Sequence, residues 1–117
     1  MKPMEAEWLQ RCKSFAQQEI EPRYRQFDEE NRFPDGIHQC ARERGIIDQD
    51  FPLELGGGGL PDSILVQGAE ILASSCAPSA FTLGFNRGAL HPVIVAGTAE
   101  QKELFVSRCI RNNEYAA

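Results

Sequence analysis

Positive charge is scarce in this chain of 117 residues: 12 Lys and Arg stand against 17 Asp and Glu, a formal net charge of −5. Without a basic surplus nothing draws it generally toward nucleic acid or anionic lipid, so neither is expected as a partner. Long apolar runs are missing as well. No stretch approaches the roughly 20 apolar residues that cross a bilayer. Met1 to Gln10 has neither the basic start nor the apolar core of a secretory signal, so a cytoplasmic address is expected, with the mitochondrial matrix open if a transit peptide is missing. The four cysteines, Cys12, Cys40, Cys76 and Cys109, form no C-x-x-C pair and have no histidine at ligand spacing. That leaves no metal site in view and makes free, buried thiols the expectation. His38 and His91 each stand alone, with no Ser, Cys or Asp at an evident partnering distance.

Glycine, by contrast, is concentrated. The stretch DFPLELGGGGLPD, from Asp50 to Asp62, sets four consecutive glycines between Pro52 and Pro61. Glycines ahead of a helix invite a phosphate, because backbone amides can then approach an anion closely. A P-loop, however, needs Lys and then Ser or Thr after its last glycine, and Leu60, Pro61 and Asp62 follow here. A dinucleotide fingerprint needs a preceding strand and spaced glycines, whereas Gly56 to Gly59 are contiguous. A turn reversing the chain between packed elements is the expectation.

The remaining pattern is helical, and a composition of 42% hydrophobic and 25% charged residues suits one domain with a modest core. Trp8, Cys12, Phe15, Ala16, Ile20, Tyr24 and Phe27 recur at steps matching one helix face, with Pro22 expected to kink or break it. Pro34 suits the first turn of a short helix ending at Gly45 that turns Ile37, Cys40 and Ala41 inward, after which Ile46, Ile47 and Phe51 enter the core. Asp62 or Ser63 is expected to cap a helix burying Leu65, Ala69, Leu72 and Cys76. Pro78 opens the next, and the run Pro92 to Ala96 is expected to continue the buried chain. Thr98-Ala99-Glu100-Gln101 reads as a capping box for a last helix with Leu104, Phe105, Val106, Cys109 and Ile110 on a broad buried stripe. Val93 to Val95 is too short and uniformly apolar to show strand alternation. The fold class is therefore all-α, an orthogonal or up-down bundle of about five to six helices. The closing RNNEYAA shows no C-terminal cap, and Tyr115, Ala116 and Ala117 read as the opening of a strand if more chain follows.

Taken in order, DEENRFP, ERGIIDQDFPLELGGGGL, a helix with Glu70, and HPVIVAGTAEQKELFVSRCIRNNEYAA resemble the N-terminal helical domain of the acyl-CoA dehydrogenase family, over nearly the whole chain. The most specific parts are Pro52 to Leu60 and Gly97 to Leu104. The resemblance implies that residues 1–117 form that domain, and that the glycines shape a joint between helical regions. It also implies a larger flavoenzyme that oxidises acyl-CoA to 2,3-enoyl-CoA, removing the α-proton and passing hydride from the β-carbon to flavin N5. FAD and the catalytic carboxylate belong to other parts of such an enzyme, so no catalytic residue is expected here; Glu54, Glu70 and Glu114 read as solvated or structural charges. Electron-transferring flavoprotein or a similar acceptor, and homo-oligomer partners, come with the same resemblance.

In that family the N-terminal domain forms one wall of the acyl-chain slot, at the helix matched here by Ala80 to Gly88. The resemblance thus assigns Ala80, Phe81, Gly84, Phe85 and Gly88 to substrate binding. On helical geometry Phe81, Gly84, Phe85 and Gly88 share a face, two rings alternating with two positions that have no side chain. That face leaves a shaped gap for a ligand, or it packs another helix against glycine, and the residues leave both open. Gly58 and the cation Arg87, one step off the face, depart from the family pattern. A free-standing helical module that binds a partner or acyl chain without catalysis is the competing reading. The uncapped end and the apolar stripe from Leu104 to Ile110 weigh against it.

Overall fold

Proline and glycine set the boundaries of the helices. The computed structural model describes residues 1–32 and 36–116. Helix α1, Pro3–Phe15, begins with its proline in the first turn and runs directly into a π-helical turn, Ala16–Ile20. Pro22 then breaks the helix, as its missing N–H requires, and α2 is a short Tyr24–Glu29. Helix α3, Ile37–Glu43, ends on left-handed Gly45, whose neighbour Ile46 returns its N–H to the Ala41 carbonyl at 2.8 Å. The helix-opening role expected of Pro34 lies outside the described residues. After the glycine turn come α4, Asp62–Ser75, and α5, Ala77–Ala96. The last helix is continuous from α6, Ala99–Lys102, through a π-helical turn, Glu103–Ser107, into α7, Arg108–Arg111. Among the described residues this makes six continuous helices and no strand, the all-α architecture the sequence predicts. The body is 43 × 34 × 20 Å, and its thinnest dimension holds two layers of helices about 10 Å across.

Two apolar clusters hold it. The larger joins α1, α3, α4 and the first half of α5 through Trp8, Cys12, Phe15, Ile20, Ile64 and Leu83. The smaller gathers Phe51, Leu90, Val106 and Cys109, so α5 belongs to both. Trp8 explains how closely α1 and α4 approach. Its ring lies where a Cβ on Gly68 would stand, and its Nε1 donates to the Ile46 carbonyl at 3.2 Å.

That contact corrects the expected inner face of α4. The buried residues are Ile64, Gly68 and Leu72, with Leu65 and Cys76 half-buried and Ala69 exposed. The indole needs the one position without a side chain, and the helix turns to supply it. Neither Asp62 nor Ser63 caps α4: Pro61 holds that place and Asp62 begins the helix. Tyr24 and Phe27 are half-buried, because the break at Pro22 takes α2 off the main cluster. Pro92 and Ala96 are exposed, Val93 and Ile94 half-buried, and Leu104 and Phe105 about half exposed. In both segments the apolar stripe is broader than the surface its neighbours cover. The end of α7 does carry a cap: Asn113 adopts a left-handed φ of 53°, and Glu114 N–H reaches the Cys109 carbonyl at 3.1 Å. The expected capping box is formed, with Gln101 N–H on Thr98 Oγ1 at 3.2 Å and Thr98 N–H on Gln101 Oε1 at 2.9 Å.

Candidate functional site on helix α5

Helix α5 buries one stripe, Ser79, Leu83, Asn86 and Leu90, and turns the face carrying most of the candidate residues outward. Phe81 is 70% and Phe85 44% exposed, their ring centroids 5.7 Å apart and tilted by 52°. Gly84 and Gly88 are exposed between and beyond them. A Cβ added at either would meet nothing within 4 Å among the described residues. The contrast with Gly68 is informative: that glycine admits a neighbouring ring, whereas the α5 pair admits nothing among the described residues.

Ala80 is half-buried and, with Gly84, lines a cavity of about 200 Å³ between α1, residues 46–50, α4 and α5. Trp8, Leu65 and Leu72 contribute apolar walls, and Asp50 and Arg87 bring charge. The five expected site residues are therefore divided, with Phe81, Phe85 and Gly88 outside this cavity. Arg87 lies off their face and pairs with Asp62 at 2.6 Å, tying α5 to the start of α4. Burial pushes the Asp50 carboxyl above its ordinary range, opposed by its own backbone amide and by Arg87.

The glycine turn answers the phosphate question by its hydrogen bonds. The amides of Gly56, Gly57, Gly58 and Gly59 donate to the carbonyls of Leu53, Pro52, Asp48 and Phe51, and that of Leu60 to Gln49. Five consecutive donors are spent inside the turn, so it offers no cradle of free amides to a phosphate. Gly56 and Gly59 have φ of 97° and 63°, and a side chain on Gly57 would overlap the Phe51 carbonyl. Glu54 and Glu70 are exposed, and Glu114 is half-buried 3.5 Å from Arg108, so none has the dry setting of a tuned base.

Sequence reasoning missed a buried polar cluster behind the α5 face. Arg42 grips Asp48 through two bonds, Nε to Oδ2 at 2.6 Å and Nη2 to Oδ1 at 3.1 Å, and also donates to Asn113 Oδ1. His38 is 2% exposed, with Nε2 3.4 Å from Asn86 Nδ2 and its ring 4.0 Å from that of Tyr115. Burial, and then the Arg42 guanidinium, lower its pKa. The signal was available for Asn86, which shares its helical stripe with Leu83 and Leu90 and so had to be inside.

Comparison with known proteins matches residues 2–113 to the family model "Acyl-CoA dehydrogenase, N-terminal domain". The human mitochondrial short-chain specific acyl-CoA dehydrogenase is 32% identical over 100 residues, covering 85% of this chain and 24% of that protein. Acryloyl-CoA reductase (NADH) of Anaerotignum propionicum is 30% identical over 106 residues, 91% of this chain and 27% of that protein. 3-(Aryl)acrylate reductase of Clostridium sporogenes is 29% identical over 107 residues, 91% of this chain and 28% of that protein. The chain thus spans about a quarter of the length of the relatives it matches. A helical chain with this glycine joint and capped last helix, matched by that model over nearly its full length, belongs to the acyl-CoA dehydrogenase family through its N-terminal domain.

Proposed function

We propose that this chain is the N-terminal domain, residues 1–117, of an FAD-dependent acyl-CoA dehydrogenase that interconverts acyl-CoA and 2,3-enoyl-CoA. Its outer α5 face forms one wall of the acyl-chain slot. One observation carries the assignment: Gly84 and Gly88, on either side of Phe85, have open space over them, so among the described residues they serve no packing purpose. Glycine costs about 1 kcal/mol against alanine inside a helix, and a ligand or neighbouring part that needs the room is the remaining reason to keep it. Ala80, Phe81, Gly84, Phe85 and Gly88 then bound the acyl chain and exclude water from it, the two rings making the slot short or flat.

FAD, when bound, supplies the acceptor for hydride, and the saturated amides of the glycine turn support its being held by other parts of the protein. Oxidation fits the dehydrogenase relatives and passes electrons on to a partner such as electron-transferring flavoprotein. The two reductase relatives make the reverse direction a measurable alternative. The mitochondrial short-chain relatives support a matrix location. The test uses the intact protein with acyl-CoA and enoyl-CoA series of increasing chain length, in the wild type and in Phe85→Ala. The expected result is a yellow protein whose flavin exchanges electrons with short substrates and whose preference moves to longer chains in the variant. An unchanged chain-length preference would remove Phe85 from the slot. A colourless protein inert to both series would return the chain to a non-catalytic binding module.

A further inference from the structure

Behind the proposed slot wall, one side chain holds a backbone as a neighbouring strand would. Asn86 is 4% exposed. Its Nδ2 donates to the Glu114 carbonyl at 3.0 Å, and its Oδ1 accepts from the Ala116 N–H at 2.8 Å. A single carboxamide thus satisfies an acceptor and a donor two residues apart, the pairing an adjacent extended chain offers. The surroundings fix the same stretch residue by residue. Arg42 holds Asn113, Cys109 Sγ donates to the Glu114 carbonyl at 3.0 Å, and the His38 ring lies against Tyr115. Asn86 follows Phe85 directly, about 100° further round α5 and on its buried stripe, so any shift of the helix that moves the outer rings also moves the held segment.

We infer that Asn86 is a positioning residue, which fixes residues 114–116 in register with α5 and so sets how the chain beyond meets the slot wall. The inference rests on the proposed function insofar as it concerns turnover, and on the two hydrogen bonds alone insofar as it concerns the clamp. Neither hydrogen bond can be replaced by shape. Aspartate matches asparagine in size, but when ionised it accepts without donating and faces the Glu114 carbonyl with a second negative oxygen. Protonated, it donates and accepts again.

The test is Asn86→Asp in the intact protein, followed across pH against the wild type. The wild-type curve accounts for the titratable groups facing this position, His38 and Arg42 from α3, Asp48, Cys109 and Glu114. Amide exchange of the segment ending at Ala116 should be on the order of tenfold faster in the variant at neutral pH, and should return toward wild type as pH falls. Where the wild type turns over acyl-CoA, kcat should fall more than KM rises, with the same recovery in acid. Exchange equal to wild type at every pH overturns the inference, and so does wild-type exchange in Asn86→Leu, which is close in size and makes neither bond, because a role limited to filling space predicts that result. Should Asn86→Asp not fold, Asn86→Gln keeps both amide groups but displaces them by about 1.5 Å; exchange equal to wild type there also overturns it. If the wild type shows no turnover but exchange responds as described, the clamp stands and the enzymatic reading fails.

Discussion

Replacing Gly84 and Gly88 by alanine should make this chain more stable. Both glycines lie inside the 20-residue helix α5, both are exposed, and a Cβ at either meets nothing within 4 Å among the described residues. Glycine in an open helix interior is worse than alanine by about 1 kcal/mol, partly through the greater freedom of the unfolded chain. With no shared partner the two gains should add to about 2 kcal/mol. For a chain of this size each ~1 kcal/mol raises the thermal midpoint by roughly 4 °C. Urea titration reads the effect directly, as a higher midpoint with an unchanged slope. Gly68→Ala is the internal control, since it adds the same methyl to a helix but places it in the Trp8 ring. Overpacking there costs roughly 1–3 kcal/mol, enough to outweigh the propensity gain, so that variant should be less stable. If Gly84→Ala and Gly88→Ala also destabilise, the α5 glycines are packing glycines and the slot loses its main support. If they stabilise this chain but impair acyl-CoA turnover in the intact protein, the helix keeps them for what lies outside it.

Asp48→Ala should cost about 3 kcal/mol in a denaturant titration, because it strands the largely buried Arg42 guanidinium; a loss below about 1 kcal/mol would make the pair a surface feature. His38 has a folded pKa below its ordinary value, so the unfolded chain takes up its proton first as the solution is acidified. Its contribution is therefore present above about pH 6.5 and lost as pH falls toward the lowered folded value. His38→Gln should flatten that part of the stability–pH curve, and an unaltered slope would assign it to another group. Thr98→Ala removes the acceptor for the Gln101 amide and should cost about 1 kcal/mol, seen as a lower urea midpoint; no change would mean that water serves as well.

What was legible in the sequence was local. The break at Pro22, the opening at Pro78 and the Thr98–Gln101 box need only neighbouring residues to be specified, and all three are present. The inner face of α4 was displaced because its rotation is decided by Trp8, some 60 positions away in the chain. Apolar periodicity could not separate Val106, which is buried, from Leu104 and Phe105, which are half exposed, since it marks surface that avoids water without naming what covers it. Within the candidate site, the shared face of Phe81, Gly84, Phe85 and Gly88 followed from spacing, while the cavity behind Ala80 needed the packing of four segments. Most of the polar cluster escaped because Arg42 and Asp48 look like surface residues until they are brought together, whereas Asn86 was marked by its place between Leu83 and Leu90.

The two π-helical turns differ in how far an error in chain length would travel. Each holds one residue more than an α-helical turn would, so a single deletion at either is absorbed by converting it to regular helix, whereas a further residue inserted beside it in α-helical geometry would rotate all that follows by about 100°. After Ala16–Ile20 the chain turns at once, through residues 21–23, and the rotation would be dissipated there. After Glu103–Ser107 no such break intervenes, and the same insertion would swing Cys109 and the Asn113 cap away from α5, carrying the segment held by Asn86 with them. One bulge is insulated from the rest of the molecule, and the other is geared to it.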